Sequence, residues 1–498
     1  MQYQSIEFLI FLFLVCLVYY GGPGKLRKYW LLLASIGFYM TLSADLVVYL
    51  IGITAVSWIF GYWIGKIRRK AVWKRRCSLA IALTVTLASL LVIKYGNFVC
   101  ENVERIIEIA HLDMSPPREH SLVQPVGLSF FTFAAVGYLI DVYQGKRAAE
   151  KNLASYALFL SFFPTIMSGP IERSTGLLKQ IDECHNIKFD AYKIRHGLVT
   201  MFYGFFLKVM VADRLNIMVN TAFETPELFG GCILVLAVIG FGIQLYCDFA
   251  GVSAIAIGAS EVMGLKIMKN FDTPYFATSV SDFWRRWHIS LSSWFRDYLY
   301  IPLGGSRRGR WRKYLNLMIV FLVSGMWHGA GWTFIIWGGL HGVYQVAGDM
   351  LKPVRKKIAD VCSIDAEAAG NRVLRMIFTF VLVDFAWMFF RAADMNQALL
   401  IMKQAVTAWN PWELSFGNAG KVLSLGLDWP DLMVLVICLM IVLVMSVLEY
   451  NKIEWKDGLL NQGFVLRLVV YVGCITALIV FGIYGPAFSA SSFIYVDF

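Results

Sequence analysis

Apolar residues along this chain form long runs that are separated by short polar segments. The runs lie near residues 5–20, 29–43, 46–65, 78–99, 122–143, 153–168, 197–211, 229–247, 314–327, 331–348, 373–390, 431–448 and 465–485. A helix needs roughly 20 apolar residues to cross the hydrocarbon core of a bilayer, and several runs are shorter. We therefore predict an all-α polytopic membrane protein with about 11 transmembrane helices and with re-entrant or interfacial helices for the rest.

Composition supports this fold class. The chain has 498 residues, of which 58% are hydrophobic and only 16% are charged, and its mean hydropathy is +0.61. Soluble domains carry about a quarter charged residues, so a water-soluble globular protein is excluded. The 15% of aromatic residues also excludes an intrinsically disordered chain.

The first run is expected to be a retained transmembrane helix. The residues before it, Met-Gln-Tyr-Gln-Ser-Ile-Glu, contain no Lys or Arg. A signal peptide needs a basic segment and a small-residue cleavage site, and neither is present here.

The formal net charge of +11 is spread over short basic clusters between the apolar runs. Clusters follow the first and third runs, and others lie at residues 307–313 and 352–357. An N-terminus outside the membrane puts all of these clusters on the cytoplasmic side and leaves the C-terminus outside. This distribution predicts contact with anionic membrane lipid and no nucleic-acid binding.

No motif for a metal, a nucleotide or a nucleophilic serine is present. The chain lacks G-x-S-x-G, the P-loop and H-E-x-x-H, and its nine cysteines include no C-x-x-C pair. His328 and His341 are 13 residues apart, which is poor spacing for metal ligands. We therefore predict no metal site.

Three of the seven histidines lie within the most unusual segment of the chain, and they are His288, His328 and His341. Residues 281–305 (SDFWRRWHISLSSWFRDYLYIPLGG) are too polar to span lipid and too aromatic for a free loop. The segment is either an interfacial helix anchored by tryptophan or the mouth of a cavity where arginines hold an anionic donor. Tryptophan-rich residues 409–430 are expected to form an outer loop.

His328 ends an apolar run that begins after Lys313, so a helical path puts it about 22 Å from the basic interface. An ionisable side chain at that depth is a candidate functional group, and histidine is suited to accept a proton near neutral pH. The alternative is a core histidine that is hydrogen-bonded between helices.

Asp248 follows an uncharged stretch and must be paired or neutralised. It either orients a histidine or arginine or forms a structural ion pair with an arginine of residues 281–305, and we favour the structural pair. Residues 125–133 and 163–173 carry proline and glycine inside apolar runs. Such breaks either border a substrate path or are packing kinks, and the backbone groups they free must be satisfied within the protein.

Together these residues resemble the membrane-bound O-acyltransferase (MBOAT) family. The matching segments are PVGLSFFTF at 125–133, SGPIER at 168–173, DFAG at 248–251, WRRWHISLSSWFRDYLYIPLGG at 284–305 and SGMWHGAGWTFIIWGGLHG at 324–342. The last two are long and specific, and they look most like the branch that acetylates alginate and other polysaccharides. Residues 493–498 are similar to the usual ending of that branch, whereas Val252 and Ala254 depart from its pattern.

The resemblance implies a helical bundle pierced by a tunnel, within one integral membrane domain over residues 1–498. Its family core would cover about 120–350, with flanking helices at 1–119 and 351–498. His328 would be the catalytic histidine and His288 the second family histidine. We add Arg285, Arg286, Trp287, Trp327 and Asp248 as substrate-binding candidates, and the two arginines are our own assignment for donor phosphates.

The implied reaction transfers an acyl group from a cytoplasmic thioester, acetyl-CoA or another acyl donor, and needs no permanently bound cofactor. The hydroxyl acceptor would be presented from the other side of a bacterial cytoplasmic (inner) membrane, through a secreted or membrane-anchored acyltransferase partner that modifies an extracytoplasmic polysaccharide. Three alternatives stay open: D-alanyl transfer to teichoic acid from a carrier protein, a secondary transporter or channel, and a non-catalytic scaffold.

Overall fold

The computed structural model describes residues 1–117, 122–365, 368–415 and 420–484. Within these ranges the secondary structure consists of helices and turns, which confirms the predicted all-α fold. The ending at residues 493–498 lies outside the described residues. The α-helices are α1 (Ile6–Gly21), α2 (Arg27–Ser43), α3 (Val47–Lys66), α4 (Val72–Ile109), α5 (Leu128–Gln144), α6 (Leu153–Ser161), α7 (Phe163–Ile166), α8 (Leu177–Glu183), α9 (Ala191–Phe205), α10 (Asp213–Glu224), α11 (Gly231–Val262), α12 (Val280–Arg286), α13 (Ile289–Phe295), α14 (Arg310–His328), α15 (Trp332–Met350), α16 (Lys352–Val361), α17 (Ala369–Arg391), α18 (Met395–Thr407), α19 (Trp429–Tyr450), α20 (Trp455–Leu460) and α21 (Phe464–Phe481).

Six helical segments among the described residues are long and apolar enough to cross a membrane. They are Gly24–Lys66, which includes α2 and α3, and the helices α4, α11, α17, α19 and α21. The helices α1 and α5 are apolar but shorter. The predicted count of about 11 spans is therefore not confirmed and stays a prediction.

The described residues divide into two compact units, and the first comprises Met1–Leu198 and Ile255–Met268. The predicted break in residues 163–173 lies in this unit, where α6 ends at Ser161 and α7 starts at Phe163. The Tyr3 hydroxyl donates to the Phe163 carbonyl at 2.5 Å, and the Phe163 N–H donates to the Ser35 hydroxyl at 3.1 Å. The backbone groups at this break are thus satisfied inside the unit, as expected.

The second break, at Gly127, requires a glycine. Its φ of +74° is in the left-handed region, and a Cβ at this position would overlap the carbonyl oxygen of Ile166. Glycine therefore allows α5 to begin directly against the α7 backbone.

The second unit comprises Val199–Ala254 and the described residues from Lys269 onward. Residues 281–305 do not form one helix: α12, α13 and a π-helical turn at Arg296–Tyr300 follow one another. The predicted loop 409–430 contains the short 3₁₀ turns Pro411–Leu414 and Leu423–Leu425 within its described part. The prediction of a single integral domain with a core at about 120–350 remains a prediction.

Candidate active site

His328 is the last residue of α14, so the predicted helical path from the basic segment is confirmed. The side chain is only 2% exposed. Its ring centroid lies 4.9 Å from that of Trp327, 4.9 Å from that of Trp337 and 5.3 Å from that of Phe390. The imidazole is therefore enclosed by aromatic rings from α14, α15 and α17.

Two glycines set the position of His328 by letting α14 and α15 approach closely. A Cβ on Gly325 would overlap the Phe334 carbonyl, and a Cβ on Gly338 would overlap the Phe321 carbonyl. The Cα of Gly338 lies 3.3 Å from the Cβ position of Gly325. Since backbone atoms cannot move aside as flexible side chains do, only glycine permits this contact.

His288 joins α12 to α13 and has a left-handed backbone with φ +43°. The neighbouring Asn270 holds this junction: its carbonyl accepts from the Ile289 N–H at 2.9 Å, and its side-chain oxygen accepts from the Ser290 hydroxyl at 2.7 Å. A non-glycine residue in this conformation costs about 1–3 kcal/mol, which the surrounding contacts must offset.

The structure brings the two predicted catalytic histidines to the same region. The ring centroids of His288 and Trp327 are 6.1 Å apart, and Trp327 also contacts His328. Phe249, which follows Asp248 in the DFAG segment, packs edge-on against His288 at 4.6 Å. Trp327 is thus the aromatic side chain that His288 and His328 share.

The third histidine, His341, has a structural role that the sequence did not indicate. It is fully buried, and its Nδ1 accepts a hydrogen bond from Trp284 Nε1 at 3.1 Å. The Trp337 ring contacts both His328 at 4.9 Å and His341 at 5.1 Å. The i, i+4 spacing of Trp337 and His341 on α15 was the one available signal that they share a face.

A cavity of about 1620 Å³ opens beside these rings and is lined entirely by residues of the second unit. One part of its wall is apolar and aromatic, with Trp284, Phe295, Phe321 and Phe378. Another part is basic, and its cations are Arg285, Arg296, Lys313, Lys352, Arg355, Lys356 and Arg375. The lining reaches Ser324, one helical turn before His328, whereas His328 itself is not part of it.

The predicted substrate-binding residues occupy different environments. Arg285 lines the cavity, but Arg286 pairs with Asp282 at 3.1 Å and lies over the Tyr450 ring at 5.7 Å. Trp287 is 1% exposed and stacks on Phe283 with centroids 5.3 Å apart. The structure therefore brings only Arg285 of these three to the cavity wall.

Asp248 forms the expected buried ion pair, but its partner is not an arginine of residues 281–305. Lys208 Nζ lies 2.9 Å from Asp248 Oδ1 and 2.8 Å from Asp213 Oδ1, and all three side chains are at least 92% buried. Lys208 belongs to the π-helical turn Phe206–Ala212, which directs it toward α11. The expected partner was wrong because the sequence does not show that the π-helical turn directs Lys208 toward Asp248, and only the fold brings the two together.

The basic side of the cavity contains one bridging carboxylate. Asp349 pairs with Lys313 at 2.7 Å and with Lys352 at 2.9 Å, which connects the start of α14 to the end of α15 and the start of α16. These two lysines lower the pKa of the Asp349 carboxyl to about 2. Asp349 is therefore ionised at neutral pH and neutralises part of the basic wall.

Comparisons with known proteins identify the family of this chain. The model of the membrane-bound O-acyltransferase family matches residues 148–383. The chain is 36% identical over 431 residues to the probable alginate O-acetylase AlgI of Azotobacter vinelandii, covering 85% of this chain and 82% of the relative. It is 31% identical to the peptidoglycan O-acetyltransferase of Helicobacter pylori, over 78% and 75%. It is 30% identical to the teichoic acid D-alanyltransferase of Bacillus subtilis, over 55% and 70%.

The helical fold of the described residues and their six long apolar segments are those of a membrane protein. The chain belongs to the membrane-bound O-acyltransferase family, and it is an O-acyltransferase. The family resemblance stated from the sequence is thereby confirmed.

Proposed function

We propose that this protein transfers an acetyl group from acetyl-CoA in the cytoplasm to a hydroxyl on the other side of the inner membrane, for O-acetylation of a polysaccharide. The observation that carries this proposal is the cavity, whose basic wall leads to Ser324, one turn before His328. The cavity joins a place for anionic phosphates to the neighbourhood of the catalytic candidate.

The donor fits the two kinds of wall. Arg285, Arg296 and Lys313 would pair with the diphosphate and 3′-phosphate of coenzyme A through charge-assisted hydrogen bonds. The apolar wall near Phe321 would contact the pantetheine arm, and the thioester would lie beyond Ser324. Acetyl-CoA is favoured over a D-alanyl carrier protein because similarity extends over 85% of this chain for the O-acetylase, against 55% for the D-alanyltransferase.

His328 would act as the general base. The imidazole takes the proton of the acceptor hydroxyl while the oxygen attacks the thioester carbonyl, and the C–S bond then breaks to release the thiol. The proton on the imidazole passes to the departing sulfur. The surrounding rings of Trp327, Trp337 and Phe390 exclude water, which protects the thioester from hydrolysis.

The acceptor belongs to the polysaccharide class. The alginate O-acetylase and the peptidoglycan O-acetyltransferase that resemble this chain both act on carbohydrate polymers. A secreted or membrane-anchored acyltransferase would receive the acetyl group and transfer it to the polymer, because the reacting centre lies inside the membrane-embedded unit.

The test uses the reconstituted protein with radiolabelled acetyl-CoA and a polysaccharide acceptor fraction with its partner. His328→Gln keeps the size and a hydrogen-bonding group but cannot act as a base near neutral pH, so we expect transfer to fall by about 10²–10⁴-fold. Arg285→Gln should raise the KM for acetyl-CoA by roughly tenfold or more, with a smaller change in kcat.

Two controls complete this experiment. His185→Gln replaces an exposed histidine outside the site and should retain full transfer. Arg286→Gln removes the neighbouring arginine that does not line the cavity, so the KM for acetyl-CoA should stay within about twofold of the wild type. Full transfer by a correctly inserted His328→Gln protein would contradict the proposal.

A further inference from the structure

A basic and partly apolar surface lies next to the cavity, and we name it the collar. The collar consists of residues 307–313, at and before the start of α14, together with α16. Lys313 and Lys352 both bind the Asp349 carboxylate, so this carboxylate holds the two parts of the collar close to each other.

The helix α16 has two different faces. Lys352, Arg355, Lys356 and Ala359 lie on one face and line the cavity. Val354, Lys357 and Val361 lie on the opposite face and do not line it. The two valines are 52% and 76% exposed, so this face of α16 presents apolar side chains outside the cavity.

The other part of the collar has the same character. Trp311, in the first turn of α14, is 80% exposed. The arginines on both sides of it do not line the cavity, and they are Arg307, Arg308, Arg310 and Arg312. An exposed tryptophan among arginines is typical of a side chain at the membrane–water interface.

The charge of the collar selects its partner. It contains nine Lys and Arg residues and a single acidic residue, Asp360. Exposed apolar side chains interleaved with clustered cations recognise the boundary between headgroups and acyl chains in a bilayer that contains anionic lipid. A soluble acidic partner would match the cations but would leave Trp311 and Val361 in water.

We propose that the outer face of the collar is a binding site for anionic phospholipid. Trp311, Val354 and Val361 enter the boundary between headgroups and acyl chains, and the cations that do not line the cavity bind lipid phosphates. Bound lipid holds α16 in place as a wall of the cavity, because the opposite face of the same helix forms part of that wall.

The experiment measures lipid preference directly and does not depend on enzymatic activity. A bimane fluorophore is attached to Cys362, an exposed cysteine at the end of α16, after Cys16, Cys77 and Cys474 are replaced by Ser. The protein is reconstituted in phosphatidylcholine vesicles with spin-labelled phosphatidylglycerol or with spin-labelled phosphatidylcholine at the same mole fraction. The ratio of quenching by these two lipids reports the preference for the anionic headgroup.

Two adjacent lysines give a matched pair of variants. We expect phosphatidylglycerol to quench more strongly, and Lys357→Gln to reduce this preference by about fivefold, the effect of one cation near an anionic surface. Lys356→Gln removes the same charge from the cavity face and should leave the preference nearly unchanged. Added salt should weaken the preference for phosphatidylglycerol in both variants.

Three outcomes would overturn the proposal. These are equal quenching by the two lipids, absence of quenching by either lipid, and an unchanged preference in Lys357→Gln. Soluble phosphate is tested as a competing ligand by adding inorganic phosphate or sodium chloride at equal ionic strength. Selective loss of the lipid preference with phosphate would show that the collar binds free phosphate instead of lipid.

Discussion

Lys208 lies between two buried carboxylates, and the charge balance of this triad determines how its members can be replaced. The lysine contacts Asp213 and Asp248 at 2.8 and 2.9 Å. The three groups together carry one net negative charge when all are ionised. A buried charge is tolerated only when it is paired, so substitutions that increase this imbalance should be the most harmful.

Lys208→Met should therefore destabilise the protein far more than Asp248→Asn. The methionine leaves two buried carboxylates side by side, which costs about 3–5 kcal/mol. The asparagine leaves Lys208 paired with Asp213 and makes the remaining pair neutral. The yield of monodisperse protein after detergent extraction and the thermal midpoint of each variant measure the difference, and equal losses would refute this reading of the triad.

The sequence identifies the residue types at the site better than their partners. His328 could be selected because ionisable side chains are rare in apolar segments, and His288 because the motif around it resembles the family. The structure brings both to Trp327. Arg285 and Arg286 look equivalent in sequence, yet successive residues of a helix point about 100° apart, and of the two only Arg285 lines the cavity. The Asp282–Arg286 spacing of i, i+4 was a readable sign that Arg286 has an intrahelical partner.

At the scale of elements, the crossing of α14 and α15 positions the site. The backbones meet at Gly325 and Gly338, where a Cβ would overlap a backbone carbonyl of the facing helix. His328 lies three residues after Gly325 in the same helix. A shift of either helix would therefore displace the imidazole directly. A displacement of about 1 Å can cost about 10²-fold in rate.

Gly338→Ala should lower the acyl-transfer rate by about 10²-fold and destabilise the fold by about 1–3 kcal/mol through overpacking. Gly339→Ala is the matched control in the same helix, because Gly339 does not line the cavity and its added Cβ would meet only the Leu322 side chain, at an ordinary 3.7 Å. That control should be neutral or should raise the free energy of unfolding by about 0.4–1 kcal/mol. Equal activity of the two variants would show that the helix contact does not set the position of His328.

The ionic contact of Asp349 is a second connection between elements, and its pH dependence can be worked out. The pKa of this carboxyl is lowered to about 2 by Lys313 and Lys352, whereas an unfolded chain has a value near 3.9. Because the folded pKa is depressed, the stabilisation is fully present above about pH 4 and is lost as the pH falls through about 2.

Asp349→Asn should consequently lower the thermal midpoint by a similar small amount at about pH 5 and at about pH 8, since each exposed pair contributes about 0.2–1 kcal/mol. The difference from wild type should shrink below about pH 4. Asp360→Asn serves as the control, because Asp360 forms no ion pair within the described part of the chain. A difference that changes between pH 5 and pH 8 would contradict the assigned pKa.

The apolar runs predict where helices lie but not how long they are. The run at 78–99 becomes the 38-residue helix α4, because the helix continues through polar residues at both ends. The run at 153–168 is divided after Ser161, and the new helix α7 begins at Phe163 with Pro164 in its first turn. Hydropathy measures the preference for lipid, whereas helix ends depend on caps, proline and tertiary contacts, so the thirteen apolar runs do not by themselves determine the number of spans.

At the scale of the whole molecule, the basic clusters predict the orientation of the chain in the membrane. The collar and the basic wall of the cavity carry an excess of Lys and Arg, so the positive-inside rule predicts that they lie on the cytoplasmic side. The cavity itself could not be predicted, because Arg285, Lys313 and Arg375 are far apart in sequence and meet only in the fold. The sequence shows that these three residues are cations, but it does not show that they lie together.

The predicted direction can be tested with cysteine labelling in intact cells. Cys362 follows α16 and should lie inside, whereas Trp409 follows α17 and α18 and should lie outside. Both positions are exposed in the structure. In a variant that keeps one cysteine at a time, a membrane-impermeant maleimide should label Trp409→Cys in intact cells and Cys362 only after the membrane is opened.

This labelling also constrains the direction of acyl transfer. The cavity is lined by residues of α16, so the side on which Cys362 reacts is the side from which a soluble thioester can enter. Acetyl-CoA is made in the cytoplasm and does not cross the bilayer, because its phosphates are too costly to desolvate. If Cys362 reacted in intact cells, the basic wall would face the wrong compartment, and the cavity could not be the donor site even if His328 proved essential.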